Sequence, residues 1–366
     1  MTEPQPLPCA REILALHREA VAMPSVSGEE GPLADRLAGW LAERGARPAR
    51  LGNSLLAVWP GPTPDAPLVL LDTHLDTVPP APGWTRDPFA AEAVDGWVYG
   101  LGANDAKASV AAMCAAFVAW KDRPLPFSLG LALVEQEETK GLGTERVLAE
   151  IARREISIAG AIVGEPTGLD VAIAQKGLLA IELIARGEAC HAAHAAALGA
   201  KNAAREIARD LLALEALDFG PPHPQLGAIT VEPTMLRAGT AKNVVPGEAR
   251  AVLDVRTTPS LDHGQIAARI AGAVAAEVVV LSDRLRPRET PDGSPLVAAA
   301  LAARPEARCY GSPTLSDWAL IAAPAIKVGP GTSSRSHRPD EHVLEEEILA
   351  GARFYADLIA VLARGA

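Results

Sequence analysis

Short apolar runs that are followed by an acidic residue or a histidine constrain the fold of this chain most strongly. The runs are Leu68 to Leu71, Leu129 to Val134, Ile158 to Val163 and Ala325 to Val328. Their short length and partly β-branched composition indicate buried parallel strands. The carboxyl ends of such strands form the edge at which an open α/β sheet binds its ligands. We therefore expect the polar residues that follow these runs to meet at one edge of a sheet.

The polar residues in question are carboxylates and imidazoles, the side chains that hold divalent metal ions in hydrolases. They are His74, Asp76, Asp105, Glu137, Glu138, Glu165 and His337. Taken alone, each has an ordinary explanation: Asp105 fits a helix N-cap, Glu165 a solvated loop and His337 an exposed loop. Their joint position at strand ends predicts a two-metal hydrolase site.

The spacing of these residues favours particular roles. His74 and Asp76 are two apart, so in an extended chain they project to one side, and Asp76 can accept the second ring N–H of a metal-bound His74. Glu137 and Glu138 are adjacent and point in different directions, so one can bind metal while the other moves a proton. Asp105 suits a carboxylate that bridges two metals. Lys107 is expected to be a solvated helix residue or a partner of nearby carboxylates.

The order of predicted elements indicates two domains, as the length of 366 residues also suggests. From Gly177 to about Leu281 the order is β-α-β-β-α-β, which is typical of a ferredoxin-like α+β layer. Candidate site residues lie on both sides of this segment. We therefore predict an α/β catalytic domain, with a mostly parallel sheet and helices on both faces, formed by residues 1–174 and 287–366, and an inserted domain formed by residues 175–286.

Composition excludes several classes of function. The formal net charge of −11 argues against nucleic-acid partners and against docking on anionic membranes. No signal peptide or long apolar segment is evident, so we expect a cytoplasmic protein. The four cysteines are far apart and are expected to be free thiols.

Five stretches of the chain resemble the aminoacylase and carboxypeptidase-G family of co-catalytic zinc hydrolases. They are Leu71 to Pro79, Gly100 to Lys107, Glu135 to Gly141, Gly164 to Thr167 and Gly329 to Glu341. The resemblance implies two Zn²⁺ ions, although Co²⁺ or Mn²⁺ would also suit these ligands. It assigns His74, Asp105 and Glu165 to one metal, and Asp105, Glu138 and His337 to the other. It also implies that Glu137 is the general base and that Asp76 supports His74.

The same resemblance implies that the inserted domain is a lid through which the protein forms a homodimer. His191 would donate to the oxyanion with help from Asn243, acting in its own chain or across the dimer, and His194 is the alternative donor. The implied substrates are N-acyl amino acids with a free carboxylate. Candidate contacts for that carboxylate are Lys176, Arg256 and Arg335, together with the backbone of Gly331.

The stretches Thr314 to Trp318 and Lys327 to Glu341 are most similar to the acetylornithine, acetylcitrulline and acetyllysine deacetylase branch. The expected reaction is removal of the acetyl group from N-acetyl-L-ornithine or a related citrulline or lysine derivative, as in arginine biosynthesis. A dipeptidase, a carboxypeptidase or a succinyl-diaminopimelate desuccinylase would use the same metals. A metal-loaded binding protein is the non-enzymatic alternative, and the free carboxylate of Glu137 argues against it.

Overall fold

The computed structural model describes residues 3–365. Its helices are α1 (Ala10–Ala22), α2 (Gly31–Glu43), α3 (Lys107–Ala119), α4 (Leu142–Arg153), α5 (Ala195–Leu198), α6 (Ala203–Leu214), α7 (His263–Ala273), α8 (Pro295–Ala303) and α9 (Glu345–Gly365). Its strands are β1 (Ala49–Leu51), β2 (Ser54–Trp59), β3 (Leu68–His74), β4 (Glu92–Val94), β5 (Trp97–Tyr99), β6 (Ser128–Val134), β7 (Ile158–Val163), β8 (Val171–Gln175), β9 (Gly177–Arg186), β10 (Cys190–His191), β11 (Thr230–Ala238), β12 (Val244–Val245), β13 (Glu248–Thr257), β14 (Glu277–Leu285), β15 (Arg288–Glu289), β16 (Cys309–Ser312), β17 (Ala325–Lys327) and β18 (His342–Leu344).

The chain divides into two compact units. The second unit is formed by Ala174–Glu289 together with Gly311–Leu315. The first unit contains the described residues before Ala174, the segment Thr290–Tyr310 and the described residues from Ser316 onward. The first unit is therefore built from separate parts of the sequence.

A mixed sheet with a parallel centre organises the first unit. Seven strands of this sheet lie in the order β1-β2-β6-β3-β7-β17-β8. The four central strands β6, β3, β7 and β17 are parallel, whereas β1, β2 and β8 pair antiparallel with their neighbours. Every residue of β3 and β6 is buried, as expected for strands covered on both faces.

Apolar clusters cover both faces of this sheet. On one face α1, α2, α3, α8 and α9 pack against side chains such as Leu71 and Leu131. On the other face α4 and Trp318 pack against side chains such as Leu70 and Ala132. All residues of α3 are buried, because it is apolar around its whole circumference. The α/β sheet with helices on both faces is thus confirmed.

The second unit contains a four-stranded antiparallel sheet in the order β11-β13-β9-β14. Helices α6 and α7 bury Ile207 and Ile270 against alternate residues of β9 and β13. This is the β-α-β-β-α-β arrangement predicted from the sequence. A short additional pair, β10 with β12, lies outside that pattern.

Within the described residues, no helix combines the length and apolarity that a membrane span requires.

Candidate metal and catalytic site

The candidate site lies where parallel strands of the first unit end. His74 is the last residue of β3, and β6 ends at Val134, which pairs with His74. Glu165 follows the end of β7 by two residues. These strands are neighbours in the parallel centre of the sheet, so their carboxyl ends share one edge.

Asp105 lies between the two histidines of the cluster. Its Oδ1 is 3.2 Å from Nε2 of His74, and its Oδ2 is 3.7 Å from Nε2 of His337. Ligand atoms of His74, Asp105 and Glu138 all lie within 4.8 Å of one another. Because each oxygen of Asp105 faces a different imidazole, its carboxylate is placed to bridge two cations.

One further carboxylate accompanies each histidine. Oε1 of Glu138 is 2.8 Å from Nε2 of His337, and Oε1 of Glu165 is 3.9 Å from Nε2 of His74. The contacts therefore form two sets, His74, Asp105 and Glu165 on one side, and His337, Asp105 and Glu138 on the other. These are the sets that the family resemblance implies, and their role as metal ligands stays a proposal.

The charges of this cluster are those of a cation site. Burial and the nearby Asp105 raise the pKa of Glu165 to about 8. The hydrogen bond that the ring of His337 donates to Glu138 raises the pKa of His337 to about 9. Although burial lowers it, hydrogen bonds to Asp105 and Asp76 raise the pKa of His74 well above its ordinary value. Crowded carboxylates of this kind must share protons or bind a cation, so the residues fit divalent metal ions.

Glu137 differs from its neighbour Glu138. Glu138 pairs with His337, whereas Glu137 forms no ion pair with either histidine of the cluster in the described chain. Burial raises the pKa of Glu137 well above its usual range, and the charges of Glu165 and Glu138 raise it further. A partly buried carboxylate with a raised pKa, outside the ligand contacts, is suited to moving a proton.

The contact between Asp76 and the ring of His74 differs from the one that their spacing predicts. The shortest contact of Nδ1 of His74 is 2.9 Å to the carbonyl oxygen of Asp76, and the Asp76 carboxylate lies at 3.6 Å. That carboxylate accepts hydrogen bonds from the backbone N–H groups of Glu137 (3.0 Å) and Glu138 (3.1 Å) and from the hydroxyl of Ser27 (2.6 Å). Asp76 therefore fixes the loop that carries Glu137 and Glu138.

Glu341 has the corresponding role for the loop that carries Asp105, although no sequence pattern predicts that role. Its buried carboxylate accepts the backbone N–H groups of Gly102 (3.0 Å), Asn104 (3.0 Å) and Asp105 (2.9 Å). Burial and the charge of Asp105 raise the pKa of Glu341 to about 8, and these backbone hydrogen bonds oppose the rise. The peptide bond between Asp105 and Ala106 is cis.

The loop before His337 is tied to the loop before Asp105 by Asn104. Its side-chain oxygen accepts from the N–H of Thr332 (2.9 Å), and its amide donates to the carbonyl of Thr332 (3.1 Å) and the hydroxyl of Ser336 (3.2 Å). The amide of Asn104 thus joins two segments that are far apart in the sequence.

Two buried lysines add positive charge near the cluster. Lys107 is completely buried and donates to the carbonyl of Met23 (3.0 Å), so the expectation of a solvated side chain is wrong. Burial lowers the pKa of Lys107 to about 7, and the charges of Glu341 and Asp76 oppose this. Burial also lowers the pKa of Lys327, and the negative charge of Glu165 is the largest effect that opposes this lowering.

The candidate substrate contacts are distributed over both units. In the first, Arg335 is bound to Glu347 (2.6 Å), and Gly331 is buried with a φ of 79°. In the second, Lys176 donates to the carbonyl of Ala228 (3.0 Å), and Arg256 forms two hydrogen bonds to Asp254 (2.8 and 3.1 Å).

The second unit also brings together the candidate oxyanion donors. The rings of His191 and His194 are 5.6 Å apart, and both residues are exposed. The N–H of Ala192, next to His191, donates to the carbonyl of Asn243 (2.9 Å). This proximity does not choose between the two histidines, and the roles of His191 and Asn243 stay predictions.

The model of peptidase family M20/M25/M40 matches residues 70–361, which include every residue of the metal cluster. The chain belongs to this family. It is a metallo-hydrolase by that membership, and the family-level expectation from the sequence is confirmed.

Two curated relatives share a name. A succinyl-diaminopimelate desuccinylase of Xanthomonas oryzae pv. oryzae is 31% identical over 374 residues, covering 95% of this chain and 98% of that protein. A Bordetella pertussis protein of the same name is 33% identical over 279 residues, covering 71% of this chain and 72% of that protein. Neither bears the acetylornithine deacetylase name expected from the sequence, so that finer assignment is unconfirmed.

Solved structures of the family share the fold. Aminopeptidase PepT from Bacillus cereus matches with a TM-score of 0.78 at 18% identity, covering 97% of this chain and 99% of that chain. The Bacillus subtilis YXEP protein, described as a dinuclear metal binding peptidase, matches with a TM-score of 0.71 at 18% identity, covering 97% of this chain and 98% of that chain. At such low identity these matches establish the fold alone.

Proposed function

We propose that this protein is a two-metal amidohydrolase that removes the acyl group from an N-acyl amino acid, and that N-succinyl amino acids are its leading substrate class. The placement of Asp105 between His74 and His337, with one further carboxylate beside each histidine, carries the proposal. Family membership and the desuccinylase name of the two curated relatives support it. N-succinyl-diaminopimelate is therefore the first substrate to test.

The proposed metal ligands are the two sets of contacts described above. His74, Asp105 and Glu165 would hold one divalent ion, and Asp105, Glu138 and His337 the other. When bound, such a pair supplies Lewis acidity toward the amide carbonyl and lowers the pKa of water. Zn²⁺ suits the imidazole and carboxylate donors, and Co²⁺ or Mn²⁺ are alternatives.

Glu137 is proposed to move the proton. Its carboxylate would take a proton from the water that attacks the acyl carbon, and would then deliver it to the nitrogen that leaves. A carbon–oxygen bond forms and the carbon–nitrogen bond breaks, which gives a free carboxylic acid and a free amine. Asp76 assists by holding the backbone of Glu137, so the base keeps its position relative to Glu138.

Substrate carboxylates are proposed to bind cations of the chain. Burial, and then the neighbouring charge of Arg256, lower the pKa of Lys176, which places two cations close together in the second unit. An anionic substrate group would relieve that repulsion. Arg335 already pairs with Glu347, so its contact with substrate would compete with that ion pair.

We also propose that the protein forms a homodimer through its second unit. Strand β11 lies at an edge of its sheet, and its residues Met235 and Leu236 are exposed. Leu212 of α6 is exposed as well. Unpaired strand edges with apolar side chains favour association with another chain. Light scattering of the purified protein measures the mass, and a mass of one chain at micromolar concentration would refute the dimer.

The test of the function is a hydrolysis assay on N-succinyl-diaminopimelate, N-acetylornithine and a dipeptide. The protein is compared after chelation, after re-addition of two equivalents of zinc, and as the Glu137→Gln variant. We expect release of succinate that requires metal and is lost in the variant, while the variant still binds two metals.

The possible outcomes test the substrate, the mechanism and the enzymatic function separately. Metal-dependent turnover of the acetyl or dipeptide substrate alone would refute the succinyl assignment and keep the hydrolase. Full activity of the chelated protein, or of Glu137→Gln, would refute the mechanism. Binding of two metals without turnover of any amide would favour the metal-loaded binding protein.

A further inference from the structure

Four consecutive backbone N–H groups in the loop after β6 each donate to a side-chain oxygen. The donors are Glu135, Gln136, Glu137 and Glu138, and the acceptors are Oγ of Ser54, Oε1 of Glu30 and the two carboxylate oxygens of Asp76. Three separate segments of the chain therefore hold the loop that carries the proposed base. Glu30, which accepts from Gln136, has no part in the reaction described above.

Glu30 directly precedes α2, and none of its surface is exposed. Its Oε1 accepts the N–H groups of Gly28 at 2.7 Å and Gln136 at 3.1 Å, and its Oε2 accepts the amide of Asn53 at 3.0 Å. A buried carboxylate is costly unless donors of this kind compensate it, and both oxygens have them. The carboxylate makes no capping hydrogen bond to α2, so the start of that helix does not explain its position.

Gln136 has the backbone conformation that needs this support. Its φ is 58°, in the left-handed region, which residues with a side chain rarely adopt. Its carbonyl accepts the N–H groups of Gly141 at 2.7 Å and Lys140 at 3.0 Å, while Glu30 accepts from its N–H. Both ends of the residue are therefore held, and its conformation sets the direction in which the chain enters Glu137.

We propose that Glu30 is a positioning residue that aims the side chain of Glu137 by holding Gln136 in its left-handed conformation. The inference rests on the proposed function, in which Glu137 moves the proton. The N–H and amide donors to the Glu30 carboxylate belong to Gly28, Gln136 and Asn53, and none of these residues is a proposed metal ligand. Glu30 therefore acts on the base and not on metal binding.

The consequence of removing the acceptor follows from this arrangement. Glu30→Leu deletes both oxygens and fills much of the same space, so the N–H of Gln136 loses its partner. The backbone then relaxes from its left-handed φ and moves Glu137 away from the attacking water. A misplacement of about 1 Å at a reacting group can cost roughly 100-fold in rate. We expect kcat to fall by about 10–100-fold, with KM and zinc affinity within about twofold of wild type.

The experiment compares the wild-type protein with Glu30→Leu, Glu30→Gln, Glu137→Gln and the double variant of Glu30→Leu with Glu137→Gln. The measurements are zinc affinity by chelator competition, the melting temperature, and kcat and KM on the amide that the protein hydrolyses fastest. Glu30→Gln keeps an oxygen for the N–H of Gln136, so it should retain most of the wild-type kcat. The double variant should be no slower than Glu137→Gln, because the base through which Glu30 acts is already absent.

Leu37 provides the matched control for stability. It is a buried residue of α2 in the apolar cluster, and its side chain has no polar atom. Leu37→Ala therefore lowers the melting temperature without removing a hydrogen bond from the loop, and its kcat should equal that of the wild type.

Several results would overturn the inference. A wild-type kcat in folded Glu30→Leu would do so, as would an equal fall of kcat in Glu30→Gln. A zinc affinity that falls as far as kcat, or a double variant slower than Glu137→Gln, would show that Glu30 does not act through the base. A fall of kcat in Leu37→Ala as large as that in Glu30→Leu would reduce the effect to general destabilisation.

Two further outcomes keep the test decisive. If Glu30→Leu does not fold, Asn53→Ala replaces it, because that change frees Oε2 of the buried carboxylate at a half-buried position. We expect a lower kcat with wild-type zinc affinity, and an unchanged kcat would overturn the inference. A wild-type protein that hydrolyses no amide would instead refute the proposed function.

Discussion

Metal binding to this protein should release protons, because the metal-free cluster holds protons where the metals are proposed to bind. The pKa of His337 is raised to about 9 by its hydrogen bond to Glu138. The pKa of His74 is raised well above its ordinary value by Asp105 and Asp76, although burial opposes this. Both imidazoles are therefore protonated at pH 7 in the metal-free protein, and a metal ion binds only the neutral ring.

The size of the effect follows from the number of protons displaced. Loss of one proton from each histidine makes the association constant for the pair of metals rise about 100-fold per pH unit. Glu165, whose pKa is raised to about 8, also holds a proton below that pH, and metal binding would displace this third proton as well. The affinity rises with pH because binding and protonation compete, and the contribution of His337 should level off above pH about 9, where its ring has lost its proton in the metal-free protein.

Two assays measure this linkage. Chelator competition between pH 6 and 9 gives the slope of affinity against pH. Calorimetric titration of the metal-free protein at pH 7, in buffers that differ in their enthalpy of ionisation, counts the released protons directly. The His337→Gln variant is the control, because it removes one titrating ligand and should lower the proton count by about one.

An affinity that does not change between pH 6 and 8, after correction for the chelator, would refute the reasoning. So would an unchanged proton count in His337→Gln. Either result would mean that the histidines are neutral before metal binds, and that Asp105 and Glu138 do not hold their protons in place.

Three further predictions follow from the site. Glu137→Gln should lower kcat by about 10²–10⁴-fold with unchanged metal content, measured by steady-state kinetics and metal analysis, and retained activity would refute the role of the base. The metal-free protein should lose stability as pH rises. The folded pKa of His337 (about 9) lies above the unfolded value of 6.5, so the contribution of His337 to the free energy of unfolding is complete below pH 6.5 and is lost as the pH rises through 9. The raised pKa of Glu165 acts in the same direction. A melting temperature of the metal-free protein that increases from pH 6.5 to 9 would contradict this. Gly331→Ala should lower the melting temperature and the activity together, because its φ is 79° and a Cβ would collide with the side-chain oxygen of Asn104; an unchanged melting curve would contradict it.

The sequence predicts the fold well because its strand signals are local. Runs such as Leu129 to Val134 are apolar enough to require burial on both faces, and the structure has β6 there, fully buried. The β-α-β-β-α-β order of the second unit is equally local in origin. The antiparallel directions of β1, β2 and β8 escaped the prediction, because strand direction depends on connections across the fold.

The candidate ligands were accessible from the sequence because each follows a strand or opens a helix. The long-range contacts that hold them were not. Asp76 was expected beside His74, but it also binds the backbone of Glu137, which is 61 residues away, and Glu341 binds that of Asp105, 236 residues away. Nothing in the local sequence indicates which distant loop such a carboxylate binds.

Sequence patterns give the least information about which substrate the protein uses. One metal arrangement serves deacetylases, desuccinylases and peptidases, so residues such as His74 and Glu138 carry no information about the acyl group. The expected acetylornithine specificity is unconfirmed, and the curated relatives favour the succinyl alternative. The assignments of Lys176, Arg256, Asn243 and His191, the domain boundaries and the cytoplasmic location stay predictions.

The discontinuous first unit has a consequence for biosynthesis. The ribosome makes β3, β6 and β7 early, but β17, which completes the parallel centre beside β7, comes only after the second unit has been translated. His337 emerges later still. From the synthesis of Glu165 until that of His337, a growing chain therefore carries His74, Asp105, Glu138 and Glu165 without the second imidazole, and a complete pair of metal sites can form only after translation has passed His337.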